Sequence, residues 1–316
     1  MKKCKCFTMC ILCMILIFSS TGLSACRHST DDDTYNVVCS IFPLYDWTIN
    51  ITADTSTNVI PLIDNGTDMH SFQPSAKDIA TILTADLVIY IGGESEEWID
   101  DLLSEAANSA PPSIKLMSSL SDMIKEEEIK EGMEVDDEDE LEYDEHIYLS
   151  IKNAKLCTAA ILDKLCEMAP ELENKYVLNQ TKYIAQLSSL DKDYQTTIDK
   201  AANRTLIFGD RFPFRYLVDD YNLEYYAAFV GCSAETEASF KTIDFLSSKV
   251  DSLGIKYIIK LETSNGDIAN AIKNNTSSKN QQILTLNSMQ NTKTKDNKHY
   301  IQIMRENLTT LQTALS

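Results

Sequence analysis

Beyond residue 34 the chain alternates short, continuous apolar runs with stretches whose apolar positions recur every three or four residues. Residues 37–41, 59–63, 87–91 and 114–117 read as strands buried on both sides, because they lack the in–out alternation of a half-exposed sheet. Between them, residues 43–52, 76–83 and a stretch through Trp98, Leu102 and Leu103 read as helices. Strand–helix alternation at this spacing predicts a mostly parallel sheet with helices on both faces.

A longer helical pattern follows. From about Ser150, the residues Ala154, Cys157, Ile161, Leu165 and Met168 lie on one stripe. Pro170 then sits where a first helical turn accepts it. Beyond it Leu172, Tyr176, Tyr183, Leu187, Leu190, Tyr194 and Ile198 hold a second stripe with no glycine or proline. A helix of about 30 residues is roughly 45 Å long, which suits either a coiled coil or a rod joining two bodies. After Asn203 the α/β pattern restarts, with strands at 205–208, 225–229, 257–259 and 283–286 and helices at 215–221, 240–253 and 268–273. The expected fold class is therefore α/β: two lobes, each a mostly parallel sheet flanked by helices, joined by one long rigid helix. The 316-residue length agrees with two domains at roughly 150 residues each.

Composition changes the picture in two places. Residues 122–145 hold fourteen Asp or Glu against two Lys, most of the chain's net charge of −20. Such a block repels itself, and it is expected to be a flexible surface loop. At the N-terminus, Lys2, Lys3 and Lys5 precede an uncharged apolar run at 7–20, and the segment ends Leu23-Ser24-Ala25-Cys26. That run is short for a membrane span and reads as an export signal; its ending resembles the bacterial lipoprotein signal, by which Cys26 becomes a lipid-bearing N-terminus. The chain thus divides into a signal peptide (1–25), a tether (26–34), an N-terminal lobe (35–169), a linking helix (170–202) and a C-terminal lobe (203–316).

With 28 Lys and Arg against 48 Asp and Glu, the charge speaks against nucleic acid as a partner. Cys39, Cys157, Cys166 and Cys232 remain after the leader. Cys157 and Cys166 fall on opposite faces of their expected helix, and no CxxC spacing exists for a cysteine zinc site, so at least three of these four thiols read as buried and free.

The four histidines are unequal. His28 lies in the tether and His299 in a Lys-rich polar stretch, and both read as surface residues. His70 and His146 fall on loops at the ends of α/β elements, where open sheets place ligands. Spacing alone does not separate them from ordinary surface histidines.

The residues around them do. His70-Ser71-Phe72-Gln73-Pro74-Ser75-Ala76-Lys77-Asp78-Ile79 and Asp144-Glu145-His146-Ile147-Tyr148-Leu149-Ser150-Ile151-Lys152-Asn153-Ala154 resemble the two metal-site motifs of the zinc/manganese substrate-binding lipoproteins of ABC importers, the ZnuA-like family. Ile41-Phe42-Pro43-Leu44-Tyr45-Asp46 and Gly92-Gly93-Glu94-Ser95-Glu96-Glu97-Trp98 match as well. The resemblance spans nearly the whole mature chain. It implies an extracytoplasmic, lipid-anchored monomer that is not an enzyme, binds Zn²⁺ (Mn²⁺ next) as cargo and delivers it to a membrane permease. It also implies His70 and His146 as metal ligands. The family's third ligand, His or Glu after the first strand of the second lobe, falls at Gly209 by this reading, which leaves neighbouring Asp210 as an oxygen donor or as a partner of Arg211. The fourth matches Glu262, with Glu235, Glu237 and Cys232 in reserve. Two imidazoles with one or two carboxylates suit zinc, and also manganese where oxygen dominates.

Two rivals remain at this point. A surface adhesin would bind metal incidentally. A zinc hydrolase would need a positioned base and an open coordination site, and the chain has no H-E-x-x-H, G-x-S-x-G, P-loop or G-x-G-x-x-G pattern.

Overall fold

The computed structural model describes residues 34–134, 142–231 and 237–316. The expected signal, Cys26, His28 and most of the tether lie outside these residues, as do Cys232, Glu235 and the middle of the acidic segment.

The first lobe carries β1 (Tyr35–Cys39), α1 (Phe42–Ile51), β2 (Thr57–Pro61), α2 (Ala76–Leu83), β3 (Leu87–Tyr90), α3 (Glu97–Ala106), β4 (Ser113–Lys115) and the single turn α4 (Leu116–Ser119). Helices α5 (Ile151–Met168) and α6 (Glu173–Asp199) follow. The second lobe contains β5 (Thr205–Phe212), α7 (Arg215–Tyr221), β6 (Glu224–Val230), α8 (Phe240–Leu253), β7 (Tyr257–Leu261), α9 (Asp267–Asn275), β8 (Gln282–Leu286) and α10 (Tyr300–Ala314). The sheets run β2-β1-β3-β4 and β6-β5-β7-β8, and every neighbouring pair is parallel.

Alternating side chains assign each strand residue to one of two faces. Val38, Val88 and Tyr90 pack outward with Ile82 and Ile99. Val37, Cys39, Leu87 and Ile89 face inward. In the second lobe Ile207, Ala228 and Ile258 pack outward with Leu246, Val250 and Ile272, while Leu206, Phe208, Ala227 and Ile259 face inward. The inward faces of both lobes share one continuous core with Tyr176, Tyr183, Leu187, Leu190, Tyr194 and Ile198 of α6. The long helix is thus a spine with one buried face shared by the lobes. Its 27 residues span about 40 Å. It is preceded by a single 3₁₀ turn at Pro170–Leu172, which begins where the linking helix is expected to.

The described parts of the acidic segment are irregular backbone, but they are anchored. Glu134 pairs with Phe229 of β6, and Glu126 bridges Tyr143. Lys125 is ion-paired with Asp219, Met133 is buried, and Glu128 accepts from the Tyr225 hydroxyl at 3.1 Å. Its described parts are packed because Ile124 and Met133 supply apolar anchors and basic residues from the second lobe meet its carboxylates. Cys39, Cys157 and Cys166 are free thiols, the first two buried. Burial pushes the Cys39 thiol up to about 12, against a smaller lowering by Thr48.

Candidate metal centre

All strands of a parallel sheet end on the same side, and loops at those carboxyl ends form the site. His70 sits on a 3₁₀ turn (Met69–Ser71) beyond β2, capped by Asp68, whose side chain accepts from the His70 N–H at 3.1 Å. His146 directly precedes the turn Ile147–Leu149 and α5. It is fully buried, whereas the His70 side chain keeps 11% exposure.

Each imidazole is fixed from behind by a carboxylate. Asp144 Oδ1 lies 2.9 Å from His146 Nδ1 and also accepts the His146 backbone N–H at 2.8 Å. Glu145 Oε1 lies 3.0 Å from His70 Nδ1. Ser95 joins that pair, with its hydroxyl 2.7 Å from His70 Nδ1 and hydrogen-bonded to Glu145. Burial opposes charge on His146, but Asp144, with Glu145 and Glu127, outweighs it and raises the imidazole above its ordinary value. Burial likewise opposes charge on Glu145, and His70, His146 and Ser95 together outweigh it, lowering the carboxyl. Glu145 comes this close because Gly93 has no side chain; a Cβ there would stand 2.4 Å from Glu145 Cβ.

With Nδ1–H committed to a carboxylate, each ring presents the Nε2 lone pair forward, which is how metal-ligating histidines are oriented. The two Nε2 atoms are 3.1 Å apart. Two nitrogens on one tetrahedral zinc stand about 3.3 Å apart, from bond lengths of about 2.0–2.1 Å.

A third side chain completes the cluster. Gln290, on the loop after β8 and 4% exposed, places its amide nitrogen 2.9 Å from His70 Nε2 and 2.8 Å from His146 Nε2. Its loop is fastened from below: Glu262 accepts from Ser288 N at 2.7 Å and from Ser288 Oγ at 2.9 Å, and Asn307 Oδ1 accepts from Asn287 N at 2.8 Å. Beside His70, a cavity of about 950 Å³ is lined by Asp68, Arg211, Glu237 and Asn265 among others. Arg211 reaches across to Asp68 at 2.9 Å.

The carboxylates expected as ligands have other partners. Asp210 accepts from the backbone N–H of Arg211 at 2.9 Å and of Leu261 at 2.9 Å, tying β5 to β7. Glu262 holds Ser288, and burial raises its carboxyl above the usual range. Gly209 does not face the imidazoles: a Cβ there would stand 2.5 Å from Ala269 Cα in α9, so its glycine serves close helix–sheet approach. Glu237 lines the cavity. His299 is exposed as expected, yet it pairs with buried Asp46 at 2.9 Å. Among the described residues, no three His, Cys, Asp or Glu side chains converge as a metal-ligand set. Gln290 and Ser95 were not singled out from the sequence; glutamine gives no metal-site signal, and Ser95 was visible only as part of the Gly92–Trp98 match.

Residues 37–314 match the family described as zinc-uptake complex component A, periplasmic. The chain belongs to that family. It is 30% identical over 295 residues to the zinc-binding lipoprotein AdcA of Streptococcus pneumoniae, covering 92% of this chain and 58% of that one. It is 27% identical over 313 residues to the high-affinity zinc uptake system protein ZnuA of Bacillus subtilis, covering 96% of each. The Zn(II)-bound ZnuA-like domain of Streptococcus pneumoniae AdcA superposes with a TM-score of 0.72 at 27% identity, over 89% of this chain and 99% of that one. The chain therefore spans under two thirds of the AdcA relative and nearly all of the ZnuA relative. The two-lobe α/β architecture with its long connecting helix is that of these proteins.

Proposed function

We propose that this chain is the extracytoplasmic substrate-binding component of an ABC importer for a divalent transition metal, zinc first and manganese next. The observation that carries the reading is the convergence of His70 and His146: both Nε2 atoms face one point 3.1 Å apart while both Nδ1 atoms rest on carboxylates. Two imidazoles oriented this way make a borderline-soft site suited to zinc. Asp144 and Glu145 place two negative charges behind the rings, matching a divalent ion without binding it directly. The work assigned to the site is binding and not catalysis. A lipid on Cys26 would hold the monomer at the outer face of the membrane, where a permease takes the ion. The lipoprotein and zinc-uptake names of the relatives support this placement.

The test is metal affinity of the purified chain by competition with a chromogenic chelator. His70→Ala and His146→Ala should each weaken zinc binding at least tenfold, with circular dichroism unchanged. Two folded variants that bind zinc and manganese like the parent would sink the assignment.

A further inference from the structure

The Gln290 carboxamide lies where the proposed cargo would bind. It is buried, it comes from the second lobe, and it touches both imidazoles of the first. Building on the metal reading above, we propose that Gln290 is a two-state ligand: its amide nitrogen bridges the imidazoles when the cleft is empty, and its amide oxygen binds the ion when the cleft is loaded.

The empty state follows from donor counting. With both rings neutral and Nδ1–H committed to a carboxylate, both Nε2 atoms are acceptors, and two facing acceptors repel unless something donates between them. A primary amide nitrogen carries two hydrogens. At 2.9 and 2.8 Å it can give one to each ring, while its oxygen lies 2.9 Å from the Ser288 hydroxyl. Amide orientation is assigned from such networks, and this network requires nitrogen forward.

The loaded state follows from the same geometry. An amide nitrogen has no lone pair to offer a cation, whereas its carbonyl oxygen is an ordinary ligand for divalent ions. The three atoms form a triangle with edges of 2.8, 2.9 and 3.1 Å. One face of a tetrahedral zinc site has edges of about 3.3 Å, so the triangle needs to expand by only a few tenths of an ångström. Turning the amide over gives up its two N–H bonds to the imidazoles, whose nitrogens pass to the ion. Its NH₂ then donates to Ser288 Oγ, and the serine hydroxyl gives its hydrogen to Glu262, already 2.9 Å away. Ser288 is the rotor that permits both states, and Glu262 acts through it rather than on the metal.

This gives a neutral donor set of two imidazoles and one amide oxygen, with water free to complete the shell. Such a set holds zinc less tightly than one containing a carboxylate, since the missing charge lies behind the rings. The experiment compares zinc affinities of the full chain with those of Gln290→Leu, which removes both donor and ligand, and Gln290→Glu, which supplies an anionic oxygen. Leu should weaken zinc at least tenfold, and Glu should tighten it. In the parent, the Gln290 side-chain NH₂ signals in a ¹H–¹⁵N spectrum, identified by their loss in Gln290→Glu, should shift on zinc addition as they leave the imidazoles. A folded Leu variant within threefold of the parent, a Glu variant that binds no tighter, or NH₂ signals unmoved by zinc would overturn the proposal. Should the Leu variant not fold, the Glu variant and the parent spectrum still decide it. Loss of binding in His70→Ala alongside any of these results leaves the metal site standing and removes only the role of Gln290.

Discussion

Glu96 is a carboxyl group buried without charge compensation. Its Oε2 accepts the Gly92 N–H at 2.8 Å, while Oε1 lacks a hydrogen bond of full geometry and has only the weaker approach of the buried Ser40 hydroxyl. Burial pushes the group up to about 7 from 4.5, and repulsion from Glu145 adds to this, against lowering by Ser40 and by the Gly92 and Ile91 amides. A proton on Oε1 would also give Ser40 a donor. Because the folded state holds this proton more tightly than the unfolded chain, the group weakens folding as pH rises from about 4.5 to about 7, and the full penalty applies above 7. A shift from 4.5 to about 7 corresponds to about 3 kcal/mol at roughly 1.4 kcal/mol per unit. Glu96→Gln keeps an oxygen for Gly92 and supplies a permanent donor for Ser40, with no charge to bury. The variant should therefore be more stable than the parent by about 3 kcal/mol at pH 8 and by less than about 1 kcal/mol at pH 5. Urea unfolding of chelator-treated protein at both pH values, with equal slopes for parent and variant, measures the difference. A gain of the same size at both pH values, or a loss at pH 8, would refute the reasoning.

Two further substitutions address the second lobe. Gly209→His should lower the melting temperature and gain no zinc affinity, since its Cβ would meet Ala269 backbone at 2.5 Å; a variant with parental melting and tighter zinc binding would contradict this. Asp210→Asn should cost about 1–3 kcal/mol by turning an amide NH₂ towards a buried N–H that has lost its acceptor, yet leave zinc affinity within threefold, and a tenfold loss of affinity with unchanged stability would make Asp210 a ligand after all.

Much of the fold was legible because buried parallel strands write themselves as short apolar runs: residues 37–41, 87–91 and 225–229 each fall on or beside an observed strand. Helix α10 was not read, although Tyr300, Ile303, Met304, Asn307 and Leu311 lie buried at helical spacing; the mixed Lys-rich stretch before it hid its start. The charge density of the acidic segment gives no sign of its anchors, Ile124 and Met133. Within the site, His70 and His146 stood out through their flanking residues. The second lobe could not be read by counting along the sequence. Strand β5 continues to Phe212, and its register against β6 shifts between Phe208 and Arg211, so residue number no longer tells which face a side chain takes. Gln290 is defined only by closure of one lobe on the other, which no local pattern encodes.

Because α6 lies in the same interior as strands of both sheets, the two lobes cannot swing apart like a door on a free pin. Exposing even about 200 Å² of that shared interior would cost about 5 kcal/mol. The contacts across the mouth are of another kind: Asp68 with Arg211, Asp64 with Thr294, and Gln290 with the two imidazoles. Polar contacts of this sort exchange for water at a net cost of about 1 kcal/mol each. The protein is thus a stiff beam with a soft lip. On the function proposed above, an ion would pass by small shifts of the loops after β2 and β8, and a permease would need only to pry at that lip.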